Sequence, residues 1–162
     1  MECVYQGFAH CPNPMNFPDP NLPPMVIVDD SQDDAFMLRY RLRQGGIANP
    51  VSSFECATEA LSYLKSAYII GTLPQIVFVD VKMSGGFDFL AALRSEPRLE
   101  DTKIVAVTYS NHEADLKRAI ELGVDGYILK FPDADILAEF VVHGPWFAIA
   151  RHTAKATHAL CA

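Results

Sequence analysis

Five short apolar runs recur between Met25 and Leu129, and a stretch with helical spacing follows each one. The runs are Met25–Asp29, Val51–Phe54, Ile76–Asp80, Lys103–Thr108 and Gly126–Leu129. Most are apolar at consecutive positions, so both faces of each strand need cover, which is the mark of a buried parallel sheet. The intervening stretches carry apolar residues three and four apart. Examples are Ala35, Leu38 and Leu42, then Ala60, Leu61 and Leu64, then Phe89, Leu90 and Leu93. Stop signals close them at Gly45-Gly46, Gly71, before Pro97, at Gly123 and at Gly144-Pro145. Ser31 with Asp34, and Ser110 with Glu113, read as capping boxes, and Asp133 as a cap of the last helix. Strand and helix alternate five times, which predicts an α/β fold: a doubly wound, five-stranded parallel sheet with helices on both faces.

Composition narrows the class. The 162 residues suit one domain, and half of them are apolar. No apolar run reaches the roughly 18–20 residues that cross a bilayer. Met1-Glu2-Cys3 lacks the basic start of a secretory signal, so a cytoplasmic location is expected. A formal charge of −7 argues against binding nucleic acid directly. The four cysteines have no zinc-like spacing and read as reduced thiols. Residues 1–24 hold six prolines and read as an extended arm outside the core. Residues 143–162 read as a tail, expected to be helical from Pro145, that either folds back on its own domain or serves as a dimerisation helix. Fewer than 20 residues follow Pro145, too few for an effector domain.

In a sheet of this kind, ligands bind outside the carboxyl ends of the strands. The polar residues at those ends are Asp29 and Asp30, then Asp80, Thr108 and Lys130. Singly, each has an ordinary reading: an N-cap, a β-former, a solvated charge. Together they make a reactive set. Three gathered carboxylates repel one another and need a cation, and all-oxygen ligation suits Mg²⁺. An aspartate flanked by Mg²⁺, a lysine and a threonine hydroxyl can take a phosphoryl group as an acyl phosphate.

The segments V-I-V-D-D, V-F-V-D-V-K-M, A-V-T-Y-S and G-Y-I-L-K resemble the receiver domains of two-component response regulators, across roughly Met25–Val142. The resemblance implies the flavodoxin-like strand order 2-1-3-4-5. It also implies a phosphoacceptor at Asp80 and a Mg²⁺ site formed by Asp29, Asp30, Asp80 and the backbone carbonyl of Lys82. Thr108 and Lys130 would bind phosphoryl oxygens, and Thr108 with Tyr127 would form the switch. Lys82 and Ser110, each two residues beyond a key position, flank the route of attacking water and would tune the phosphoryl lifetime. Implied partners are a sensor histidine kinase or a histidine phosphotransfer protein, an unidentified downstream target, and a second copy through the last helix and tail. The chain would thus be an acceptor, with self-catalysed phosphorylation and dephosphorylation, and not an enzyme. The run D-D-S-Q-D-D, with Arg39, Arg41 and Arg43, also resembles regulators paired with phytochrome-like kinases.

Three features depart from the family. Ser84 stands where a proline is usual, the loop Ser84–Phe87 reads as about two residues short, and Phe131 separates Lys130 from Pro132. They keep open the alternative of a receiver-like scaffold that is never phosphorylated. A Mg²⁺-dependent aspartyl-phosphate phosphatase of the haloacid-dehalogenase type fits less well, because its D-x-D nucleophile comes first and its acidic pair late. A flavodoxin is disfavoured because Asp29–Asp34 would repel a phosphate.

Overall fold

The computed structural model describes residues 17–144 and the backbone of residues 149–150. In chain order the elements are β1 (Met25–Val28), α1 (Gln32–Gln44), β2 (Val51–Phe54), α2 (Ala57–Ile70) and β3 (Ile76–Asp80). Then come α3 (Gly86–Arg94), β4 (Lys103–Thr108), α4 (Glu113–Glu121), β5 (Gly126–Leu129), α5 (Ala134–His143) and β6 (Ile149–Ala150). A single turn of 3-10 helix, Pro97–Leu99, links α3 to β4. All pairings are parallel, and the order is β2-β1-β3-β4-β5-β6. The expected order 2-1-3-4-5 is therefore present, with one short strand added.

Successive side chains of a strand point to opposite faces, and this alternation splits the core in two. Met25, Ile27, Ile76, Phe78, Val105, Val107 and Ile128 face one side, under Leu38 and Leu42 of α1 and Leu137 and Phe140 of α5. Val26, Val28, Val77, Val79, Ile104 and Ala106 face the other, under Leu64 of α2, Phe89, Leu90 and Leu93 of α3, and Ala119 of α4. This is why the strands read as continuous apolar runs.

Local signals are mostly realised. Ser31 caps α1 through its hydroxyl oxygen, which accepts the Asp34 N–H at 3.3 Å. Gly71 ends α2 in the left-handed region. Ser110 behaves differently from its expected capping role. α4 begins only at Glu113 behind His112, and the Ser110 hydroxyl donates to Asp115 while accepting the His112 N–H. The tail also departs from expectation at Ile149–Ala150, which pairs with Tyr127–Ile128 as a strand where a helix is expected. The open edge of β5 offers backbone donors and acceptors there, and a short parallel strand satisfies them. The rest of the tail, and residues 1–16 of the proline-rich arm, lie outside the described residues. The described part of the arm is tied down: the Asp19 N–H donates to the Ala48 carbonyl at 2.7 Å, and the Asn49 side chain donates to the Pro23 carbonyl at 2.8 Å. Among the described residues, no helix is long and apolar enough to cross a membrane.

Phe78, central in β3, is fully buried. Phe78→Ala should lower the unfolding free energy by about 3–5 kcal/mol through the lost burial and the cavity left behind. Urea unfolding followed by circular dichroism would measure it.

Candidate functional site

Parallel pairing with β1 and β3 side by side at the centre brings several strand ends to one edge of the sheet. Val28 is level with Val79, and Asp80 with Val107, so Asp29, Asp80 and Thr108 emerge as neighbours. Lys130 leaves β5 beside them, its N–H bonded to the Thr108 carbonyl at 2.8 Å. The sequence-derived set Asp29, Asp30, Asp80, Thr108 and Lys130 thus assembles in one place.

The Lys130 ammonium is at the centre. Its Nζ lies 2.6 Å from Asp29 Oδ2, 2.9 Å from Asp80 Oδ2 and 2.9 Å from Asp34 Oδ2. An ammonium has three donors, and three carboxylates take them. Backbone N–H groups hold the other oxygens: Ser31 donates to Asp29 Oδ1 at 2.9 Å, and Lys82 to Asp80 Oδ1 at 2.8 Å. Burial alone would pull the Lys130 pKa down, but the bonds to Asp29, Asp80 and Asp34 outweigh it, leaving the group firmly cationic. At Asp29 the balance goes the other way. Burial raises its carboxyl above the ordinary range despite Lys130 and the Ser31 N–H.

The carboxylates outnumber the lysine. Ligand oxygens of Asp29, Asp30 and Asp80 all lie within 4.8 Å of one another, with Asp29 and Asp80 buried and Asp30 exposed. Three hard oxygen donors, one of them facing water, fit a Mg²⁺ ion that keeps part of its hydration shell. The Lys82 backbone meets the site through its N–H on Asp80. Its carbonyl is assigned to the metal by the resemblance alone.

The remaining expected residues form an adjoining network. The Thr108 side chain is fully buried, and its Oγ1 accepts the Ser110 N–H at 3.0 Å. Tyr127 is turned inward, and its hydroxyl donates to the Ser110 carbonyl at 3.1 Å. Burial, then the Asp115 charge, raises the Tyr127 pKa. The Lys82 ammonium lies on Asp115 at 2.7 Å. Of the three arginines of α1, Arg43 donates to the Ile47 and Asn49 carbonyls and clasps the loop behind the helix.

Three participants escaped the sequence reading. Asp34 was assigned a cap but reaches Lys130, and it accepts the Tyr109 hydroxyl at 2.9 Å. Its place one helical turn beyond Asp30 was the available signal. Tyr109 lies 5.1 Å from the Lys130 ammonium and meets Phe131 edge-on. Asp115 had no signal, since its role depends on how α4 docks.

The turn from Asp80 into α3 depends on glycine. Gly85 sits at φ +74°, and a Cβ on Gly86 would lie 2.6 Å from the Asp80 carbonyl oxygen and 2.8 Å from that of Val81. Only glycine lets α3 start this close to the end of β3. Ser84, in place of the usual proline, is exposed. The Lys130–Phe131 peptide is cis, with Pro132 one residue later.

Two outcomes are expected. Gly86→Ala should destabilise the fold by about 1–3 kcal/mol by overpacking, measured by urea unfolding. Asp29→Asn should raise stability at neutral pH in Mg²⁺-free buffer. Because burial raises the folded pKa of Asp29, its cost is fully present at neutral pH and fades as pH falls through the carboxylate range. A gain that does not shrink on acidification would refute this assignment.

A family model described as the response regulator receiver domain matches residues 25–141. The chain is 30% identical over 110 residues to the nitrate/nitrite response regulator protein homolog of Haemophilus influenzae, covering 66% of this chain and 51% of that one. It thus spans about half the length of that relative. It is 29% identical over 117 residues to the chemotaxis protein CheY of Pseudomonas aeruginosa, covering 71% of this chain and 90% of that one. The solved structure of the bacteriophytochrome response regulator AtBRR superposes with a TM-score of 0.66 at 28% identity, covering 78% of this chain and 94% of that one.

Proposed function

The chain belongs to the response regulator receiver domain family, and on that premise we propose that it is a phosphorylatable signalling switch with Asp80 as the acceptor. The observation that carries this reading is the convergence of Asp29, Asp80 and Lys130, residues far apart in the chain, around one ammonium beside Thr108. An Asp80 oxygen attacks phosphorus. As that P–O bond forms, the bond from phosphorus to the donor breaks, and the leaving group (an imidazole nitrogen of a phosphohistidine) keeps the electron pair. Lys130 gives up one carboxylate partner to bond a phosphoryl oxygen, and the Thr108 hydroxyl bonds another. Asp29, Asp30, Asp80 and the Lys82 carbonyl would hold a Mg²⁺ ion, which would supply charge compensation for those oxygens. The Thr108–Ser110–Tyr127 network then transmits the change to the surface around α4 and β5.

The donor is a sensor histidine kinase or a histidine phosphotransfer protein, and the likeness to a bacteriophytochrome regulator makes a kinase of that type a candidate. The output is partner binding or onward phosphorelay in the cytoplasm, with α5 and the tail as the surface for a second copy. The chain is an acceptor consumed and regenerated, not a turnover enzyme.

Incubation with acetyl phosphate and Mg²⁺ should give a species heavier by one phosphoryl group in intact-mass spectrometry. Asp80→Asn, or omission of Mg²⁺, should abolish it. No adduct on the unaltered chain would instead favour a receiver-like scaffold that binds partners without phosphorylation.

A further inference from the structure

Asp115, in the first turn of α4, is bonded twice through the same oxygen. Its Oδ2 accepts the Lys82 ammonium at 2.7 Å and the Ser110 hydroxyl at 2.7 Å. Both bonds hold the Asp115 carboxyl below the ordinary range, Lys82 contributing most. An exposed ion pair by itself contributes little. This one is less free, because Asp115 is largely covered and the Ser110 hydroxyl fixes the accepting oxygen while taking the His112 N–H at 3.2 Å. Lys82, for its part, sits two residues after the phosphoacceptor, with its own N–H on Asp80 Oδ1. Its ammonium therefore has two anionic destinations, Asp115 on α4 or a phosphoryl group on Asp80, and here it takes Asp115.

We propose that Asp115 is a positioning residue that holds Lys82 away from the phosphoacceptor and so keeps the acyl phosphate short-lived. The inference rests on the reading of Asp80 as phosphoacceptor. Hydrolysis joins a water oxygen to phosphorus while the bond from phosphorus to the Asp80 oxygen breaks. The electron pair stays with the Asp80 carboxylate, and inorganic phosphate leaves with the water's proton released. Water must approach opposite the breaking bond. A lysine paired with the phosphoryl oxygens would crowd that approach. With Lys82 held on Asp115, its ammonium is drawn toward α4 instead. Since one ammonium cannot serve both anions, the Lys82–Asp115 pair and a Lys82–phosphoryl contact compete, and each weakens the other. Ser110 shares Asp115 and accepts Tyr127 through its carbonyl, so the competition reaches the residues expected to switch.

The test uses the full chain loaded with acetyl phosphate and Mg²⁺, then stripped of donor, with the acyl-phosphate half-life followed by intact mass. Four proteins are compared: unaltered, Asp115→Asn, Lys82→Asn and the double variant. Asp115→Asn should lengthen the half-life several-fold, and that effect should vanish in the Lys82→Asn background. Asp115→Glu, which can restore the pair, should return the half-life toward that of the unaltered chain. An unchanged or shortened half-life in Asp115→Asn, or an equal change in both backgrounds, overturns the proposal. Failure of the unaltered chain to form any adduct overturns the phosphoacceptor reading, and this inference with it.

Discussion

A single buried ammonium holds the site together. Lys130 is separated from Asp29, Asp34 and Asp80 by 101, 96 and 50 residues. It bonds all three only because β1, β3, β4 and β5 run parallel in that spatial order and finish at one edge. Without it, two buried carboxylates and a third close by would repel each other in a poorly solvating setting. The reverse holds too, since an ammonium this enclosed needs its carboxylates. Burial by the sheet and its helices makes each charge costly alone and makes the group mutually dependent.

The same arrangement sets fold stability against chemistry. Asp29 is held ionised at a cost from burial, a cost that an uncharged side chain would not carry. What it provides is a dense set of oxygen donors. The bonded state described here has every Lys130 donor engaged, so a phosphoryl group gains the lysine only by displacing a carboxylate. Asp34 then has a particular place. It lies outside the Asp29–Asp30–Asp80 group and stays oriented by the Tyr109 hydroxyl, so it can keep Lys130 anchored when the other carboxylates are otherwise occupied.

The departures from the family pattern turn out to be local. The loop beside Asp80 reads as about two residues short against the family pattern. Gly85 and Gly86 make that spacing workable: one adopts a left-handed turn, and the other lets the helix approach the strand carbonyls. The missing proline is replaced by an exposed serine, and Asp80 keeps its backbone bond from Lys82. No chemical group of the site is lost.

Strand positions, helix boundaries and the residues at strand ends were legible in the sequence, because they follow from short-range rules: apolar runs, helical spacing, and glycine and serine at element ends. The cluster Asp29, Asp30, Asp80, Thr108 and Lys130 was legible too, once a parallel sheet placed strand ends together. Strand order came from resemblance, not from any residue count. What only the tertiary structure decided were the contacts between elements that no local pattern encodes. Asp34 looked like a helix cap and proved to be a lysine partner. Ser110 looked like a cap and proved to bond Asp115. Lys82 was expected to flank the route of attacking water and proved to pair its ammonium with Asp115 of α4, and Ile149–Ala150 joined the edge of β5 where a helix was expected. In each case the partner is set by which elements the sheet brings within about 3 Å, a distance that depends on docking angle and loop length and leaves no periodic trace in the chain.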